Sequence, residues 1–385
     1  MKKRIRILFA ILITFPAGTI LLHAAGPYDA VDRKMQQIPD SLLHSTAGIG
    51  RYINANFKTE KEKVRAAFIW TASNIEYDVD RLSKLSMHKK EDDHITEPMK
   101  SHKGICENYA SIFQDICTRV SIKSVVISGI VKQNGVVQNI PHAWCGARID
   151  SVWFLFDPTW AAGYVSGSKF YKKINNAYYM VKPEVLIKTH YPFDPLWQFS
   201  SYPIHGNDFI SGKDRPAKEK DFFCFQDTLA KYERQTEIQQ LYSVLYRMNH
   251  NGGDHLLIEE RKKYVHDEID YIRNSRIVDN YNNAVLIFNK GVGLLNSFVN
   301  YRNHQFFPPK PDDAIRQMVD TVDIYLTSAR SMILDIDDPD PEMEKNIRQL
   351  NKLMQDADHN LKEQKAFVDK YIATRKPLRK TLFYK

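Results

Sequence analysis

Cysteine is scarce in this chain: four residues, at 106, 117, 145 and 224, among 385. Exported proteins often carry cysteines as structural cross-links, but thiols spread this thinly make no disulfide framework. Cys106 and Cys117 would lie about 16 Å apart along one helix, too far to bridge. Long apolar runs are equally few. The uncharged stretch "ILFAILITFPAGTILL", from Ile7 to Leu22, is broken by Pro16 and falls short of the ~20 residues a spanning helix needs. It follows Lys2, Lys3, Arg4 and Arg6 and precedes the small-residue exit "LHAAG". Residues 1–25 therefore read as an export signal, cut after Ala24 or Ala25, with an uncut membrane anchor as the alternative. No cysteine follows the run, which argues against a lipid-modified N-terminus. Net positive charge is also small. The formal +8 drops to about +4 once those four basic residues leave, too scattered for nucleic acid. The chain shows no internal repeat. The expectation is a periplasmic or extracellular protein with no stable membrane span in its mature form.

What is present is enough to build domains. An apolar content of 43% over this length can bury two or three cores. From Tyr28 to about Tyr77 the spacing is helical, with Val64, Ala67, Phe68, Ala72 and Ile75 on one face. A polar stretch, "DRLSKLSMHKKEDDHITEPMKSHKG", is long enough for a flap or rim. Helical spacing resumes after Cys106 through Tyr109, Ile112, Phe113, Ile116 and Val120, and Cys117 joins that face as a packing residue. Strand patterns follow in "SVVISGIV", "HAWCGARI" and "VWFLFD", the last two flanking Asp150-Ser151. The segment 206–220 reads as a linker, with "SGKDRPAKEK" (211–220) its charged part. Residues 27–205 are one domain and 221–385 a second, helical one. Ile315, Met318, Val319, Val322, Leu326, Ala329 and Ile333 form a stripe. Met343, Ile347, Leu350, Met354, Ala357 and Leu361 alternate four- and three-residue steps, the seam of intramolecular packing or of a partner's docking site.

Three residues pass a geometric test. With Asp150-Ser151 as a two-residue turn, Ile149 faces Val152 and Trp144 lies across from Asp157. His142 and Trp144 then point to one side, Ala143, Cys145, Ala147 and Ile149 to the other. His142 and Asp157 become diagonal neighbours within side-chain reach, and a carboxylate there fixes the imidazole tautomer. Cys106 opens a helix, where unsatisfied amides and the dipole favour an anion such as a thiolate. Gly104 clears space for a substrate carbonyl. Cys106, His142 and Asp157 have the chemistry of nucleophile, base and orienting acid. Trp144 and Trp160 are candidate cleft walls, with plain core packing as the other reading. His88, Asp92, Asp93, His94 and His102 crowd one loop, but their loose spacing and flanking lysines favour a solvated loop over a metal site. "DIDDPDPE" (335–342) lacks the glycine of a calcium loop and reads as an interhelical connection.

At these residues the sequence resembles a transglutaminase-like domain of the papain-like superfamily. The matching pieces are "EKVRAAFIWTASNIEYD", "KGICENYASIF", "HAW" and "FDPTWAAG", in that order. "HYPFDPLWQ" resembles a closing segment of the bacterial branch and its kyphoscoliosis-peptidase relatives. The similarity covers about residues 30–200. It implies an α+β fold in which the cysteine's helix packs on an antiparallel sheet, followed here by an all-α C-terminal domain. It implies Cys106 as nucleophile, His142 as general base and Asp157 as its partner, acting on protein or peptide amides through a thioester. Transamidation, deamidation and peptide hydrolysis all stay open. No cofactor or metal is implied, and the calcium sites of animal members have no counterpart motif. The family often has asparagine after "HAW"; here Cys145 stands there. The competing class is an inactive binding module that grips a peptide while the C-terminal helices dock a partner.

Overall fold

The computed structural model describes residues 26–82, 94–213 and 221–384. The expected export signal, and His88, Asp92 and Asp93 of the polar loop, lie outside the described residues. The chain divides into two compact units. The first holds the described residues up to Thr228 together with Asn251–Ile258, the second Leu229–His250 and Glu259–Lys385.

In the first unit, helices start where the sequence supplies caps. Ser45 caps Thr46–Asn56 through a bond from the Gly48 amide at 3.1 Å. Thr59 and Glu62 form a capping box at the head of Glu60–Asn74. The apolar face expected on that second helix is buried, but burial runs nearly all the way round it, through Ala66, Ile69, Trp70 and Thr71. Even Arg65 is covered. Its guanidinium is bidentate to Asp32 at 2.8 and 2.6 Å, bonds Asn176 at 2.8 Å, and lies over Tyr28 and Tyr179. A buried cation is tolerable only when paired this fully.

Cys106–Arg119 is the helix that carries the first cysteine. Its Phe113 meets Phe68 of the preceding helix and Phe156 of the sheet at 6.2 and 5.2 Å between ring centroids. The sheet is antiparallel. Ser124–Gln133 pairs with His142–Ile149, with His190–Pro192, and at its end with Val136–Val137; Val152–Phe156 pairs with His142–Ile149. The expected register holds: Ile149 faces Val152 and Cys145 faces Phe156. So does the parity, since Ala143, Cys145, Ala147 and Ile149 all enter the core. Asp150 and Ser151 both take positive φ, 49° and 69°, which is the twist a two-residue hairpin turn needs.

Two stretches read as loop or linker contain regular structure. The described part of the polar stretch includes a helix, Thr96–Ser101, that buries Pro98 and Met99. Lys103–Gly104 beyond it pairs with Glu76–Tyr77 in parallel. Residues 206–220 begin with a helix, Gly206–Ser211, because Phe209 has a partner in Tyr191 at 5.2 Å; residues 214–220 lie outside the description.

Every regular element among the described residues of the second unit is a helix, and the unit includes most of the 48-residue helix Leu256–Asn303. The expected stripe on Asp312–Leu334 and the seam on Pro341–Ala373 bury their residues in one cluster, with Met318 and Ile347 at its margin and Met343, the first seam residue, outside it. "DIDDPDPE" spans the turn between those helices. None of the described helices is long and apolar enough to cross a membrane.

Candidate active site

Cys106 is the first residue of its helix, and only 6% of it is exposed. Asn108, two residues on, accepts the Ile105 amide at 2.9 Å and donates to the His94 carbonyl at 3.2 Å. Gly104 serves this turn directly: a Cβ there would lie 2.8 Å from Cβ of Asn108. The space it clears is taken by the helix's own first turn. Cys117 and Cys145 are sealed in the core, where burial pushes both thiols up. Cys145 donates to the Ala110 carbonyl at 3.3 Å, facing away from His142 as the strand alternation requires.

His142 and Asp157 meet across the hairpin, Nε2 to Oδ2 at 2.8 Å, both buried. Asp157 directly follows the strand Val152–Phe156 and caps the short helix Pro158–Ala162, its Oδ1 accepting the amides of Thr159 and Trp160 at 2.9 and 3.0 Å. Burial works against the His142 cation. The charge and hydrogen bond of Asp157 outweigh it, with Cys106 adding to the effect, and the pKa is raised to about 10. Asp157 answers in the opposite sense: burial opposes its ionisation, but His142 and the bond from His190 hold it well below the usual carboxylate range. With Nε2 committed to Asp157, Nδ1 is the nitrogen left for the sulfur.

His190 is the residue that sequence reasoning missed. It lies on the strand His190–Pro192, opposite Val131, and its Nε2 reaches the same Oδ2 of Asp157 at 3.1 Å. Burial lowers its pKa, Asp157 offsets this only in part, and the charge of His142 adds to the fall. His142, Asp157 and His190 have the makings of a metal site, with one donor atom from each within 4.8 Å of the others. The hydrogen bonding does not fit that use. Both Nε2 atoms face one carboxylate oxygen at hydrogen-bond distance and must carry protons, which removes their lone pairs from any metal. His94 lies 3.7 Å from Glu107, and His102 donates to the Asn74 carbonyl at 3.2 Å.

Both expected tryptophans surround this cluster. Trp144 is buried, 6.3 Å from His142 and 5.1 Å from His190 between ring centroids. It fits because residue 129 is glycine: a Cβ there would be 2.7 Å from the indole and 2.1 Å from the Tyr191 carbonyl. Trp160 is half-buried, 5.3 Å from His142 and 4.5 Å from His190. It lines a cavity of about 1050 Å³ with His142, Thr159, Tyr164, Tyr178 and Tyr77. Burial, then the charges of Cys106 and Asp157, keep the Tyr77 phenol protonated.

Residues 47–158 match the sequence profile of the Transglutaminase-like superfamily. Kyphoscoliosis peptidase of Mus musculus is 29% identical over 153 residues, 38% of this chain and 23% of that protein. The Homo sapiens protein of that name is 28% identical over the same length and shares. Hillarin of Drosophila melanogaster is 22% identical over 205 residues, 47% of this chain and 24% of that one. This chain thus spans about a quarter of the length of the curated relatives it matches. A solved structure described as a TGase is 15% identical, with a TM-score of 0.27, covering 60% of this chain and 53% of its own.

Proposed function

Residues 47–158 are a transglutaminase-like domain, and from that premise we propose that the chain is an exported cysteine enzyme acting on protein or peptide amides. The thiolate of Cys106 attacks the amide carbonyl carbon. His142, held as imidazolium, gives a proton to the departing amine as the C–N bond breaks, leaving a thioester. An incoming amine or water then attacks that thioester, yields its proton to His142 and expels the sulfur, which restores the thiolate and imidazolium. A lysine amine gives a cross-link; water gives deamidation or peptide hydrolysis. Asp157 orients the imidazole and stabilises its charge. Amides at the start of the Cys106 helix are available for the oxyanion. The cavity beside Trp160 is the proposed seat of the substrate.

One observation carries this reading: the 2.8 Å bond from His142 to Asp157, on an imidazole whose charge Cys106 also raises. The test is thiol alkylation near neutral pH, read site by site. Cys106 is expected to label far faster than Cys117, Cys145 or Cys224, and His142→Ala should abolish the preference. Equal labelling would favour the binding module, a reading that the burial of Cys106 supports. Incubation with casein and a tagged amine separates the chemistries: incorporated tag means transamidation, whereas ammonia or fragments without tag mean hydrolysis.

A further inference from the structure

We propose that His190 is a positioning residue of this site, a neutral imidazole that fixes the Asp157 carboxylate and shares the oxygen on which His142 depends. The inference rests on the acyl-transfer reading for its purpose, but its geometry stands alone.

Asp157 has four donors. The Thr159 and Trp160 amides bind Oδ1, and the two imidazoles bind Oδ2. A carboxylate can only accept, so Nε2 of His190 carries a proton. The ring avoids a second charge because it is buried beside the His142 cation. Its Nδ1 is then an acceptor, 2.8 Å from the Thr189 hydroxyl, whose one proton is also within reach of the Leu186 carbonyl at 3.2 Å. Trp144 and Trp160 stand edge-on to the ring at 5.1 and 4.5 Å and hold its plane. The titratable groups facing it are Asp157, His142 and Tyr178.

The physical consequence has a definite sign. An N–H dipole aimed at Oδ2 draws part of that oxygen's charge away from His142 and places a partial positive charge near the imidazolium. Removing the donor leaves the whole oxygen to His142 and tightens its hold on the proton. A base that grips its proton too strongly returns it poorly to a leaving group. His190 thereby tunes the proton transfer and keeps the carboxylate in plane.

The test follows the His142 ring by NMR through a pH titration of the full chain, in wild type and in His190→Gln, His190→Leu and His190→Met. Leucine and methionine remove the donor in two shapes, so a folding failure of one leaves the other; glutamine restores an N–H. The His142 midpoint is expected to rise by about half a pH unit or more in the apolar variants and to return most of the way in His190→Gln. A role in packing alone would leave the midpoint unmoved. The same midpoint in wild type, the folded apolar variant and the glutamine variant overturns the proposal. Selective alkylation of Cys106 in that same wild-type protein would leave the acyl-transfer reading intact. A shifted midpoint without selective alkylation would uphold His190's role and sink the enzyme instead.

Discussion

At the scale of single residues, the site concentrates opposed ionisations in a small buried space, and this links folding to pH. His142 has its pKa raised from 6.5 to about 10, so it binds protons more tightly folded than unfolded. Its contribution to stability is complete below about pH 6.5 and is lost as pH rises toward about 10. Asp157 is depressed from 3.8, so its contribution is present above that value and is lost in acid. His190 is lowered, so it penalises the fold once the unfolded imidazole protonates below about pH 6.5. Urea midpoints taken at about pH 6.5 and about pH 9.5 are therefore expected to fall at the higher pH. His142→Gln should flatten most of that slope; an identical slope in both proteins would show that His142 is not held cationic. The first two of these three residues were legible from the hairpin alone, because strand alternation and a two-residue turn define which side chains share a face. His190 carried no such local signal. Its place depends on pairing with a strand some 60 residues earlier, Val131 against His190, and nothing in "HYPFDPLWQ" encodes that register.

At the scale of elements, the hairpin is the part on which the site's alignment depends. Its turn is made by Asp150 and Ser151, both at positive φ. Aspartate tolerates that conformation better than most residues, and serine has no special fitness for it. Ser151→Gly is expected to stabilise the fold by roughly 0.5–1 kcal/mol by relieving the left-handed strain. Chemical denaturation would register this as a higher midpoint with unchanged slope, and no gain would mean that the turn is already relaxed. Local pattern served less well where burial was complete. The Glu60–Asn74 helix looked one-sided in sequence, because Arg65 and Thr71 are polar; both are buried. Arg65 is accommodated by Asp32 and Asn176, partners 33 and 111 residues away that no window along the helix includes. The helix Thr96–Ser101 was hidden for a related reason. It is short and polar and encloses a proline, and the burial of Met99 supplies support that propensity does not.

At the scale of the whole molecule, sequence composition marks a division near residues 206–220, but the first unit takes back a later segment, Asn251–Ile258. That return is unmarked in the sequence because it serves backbone groups. The buried Tyr191 hydroxyl donates to the Asn251 carbonyl at 2.6 Å, and the Asp254 amide donates to Asn207 at 2.8 Å. Tyr191 adjoins His190 on its strand, so the late segment steadies the strand that holds the second imidazole. A fragment of residues 26–220 keeps every residue of the candidate site yet removes the acceptor of the Tyr191 hydroxyl. Losing that hydrogen bond costs about 0.5–1.5 kcal/mol, which for a unit of this size lowers the melting midpoint by roughly 1–6 °C. Residues 26–258 should recover that difference, and Tyr191→Phe in the full chain should lose part of it. Equal melting of the two fragments would show that the first unit closes without its returning segment. Its boundary would then lie at the charged stretch after all.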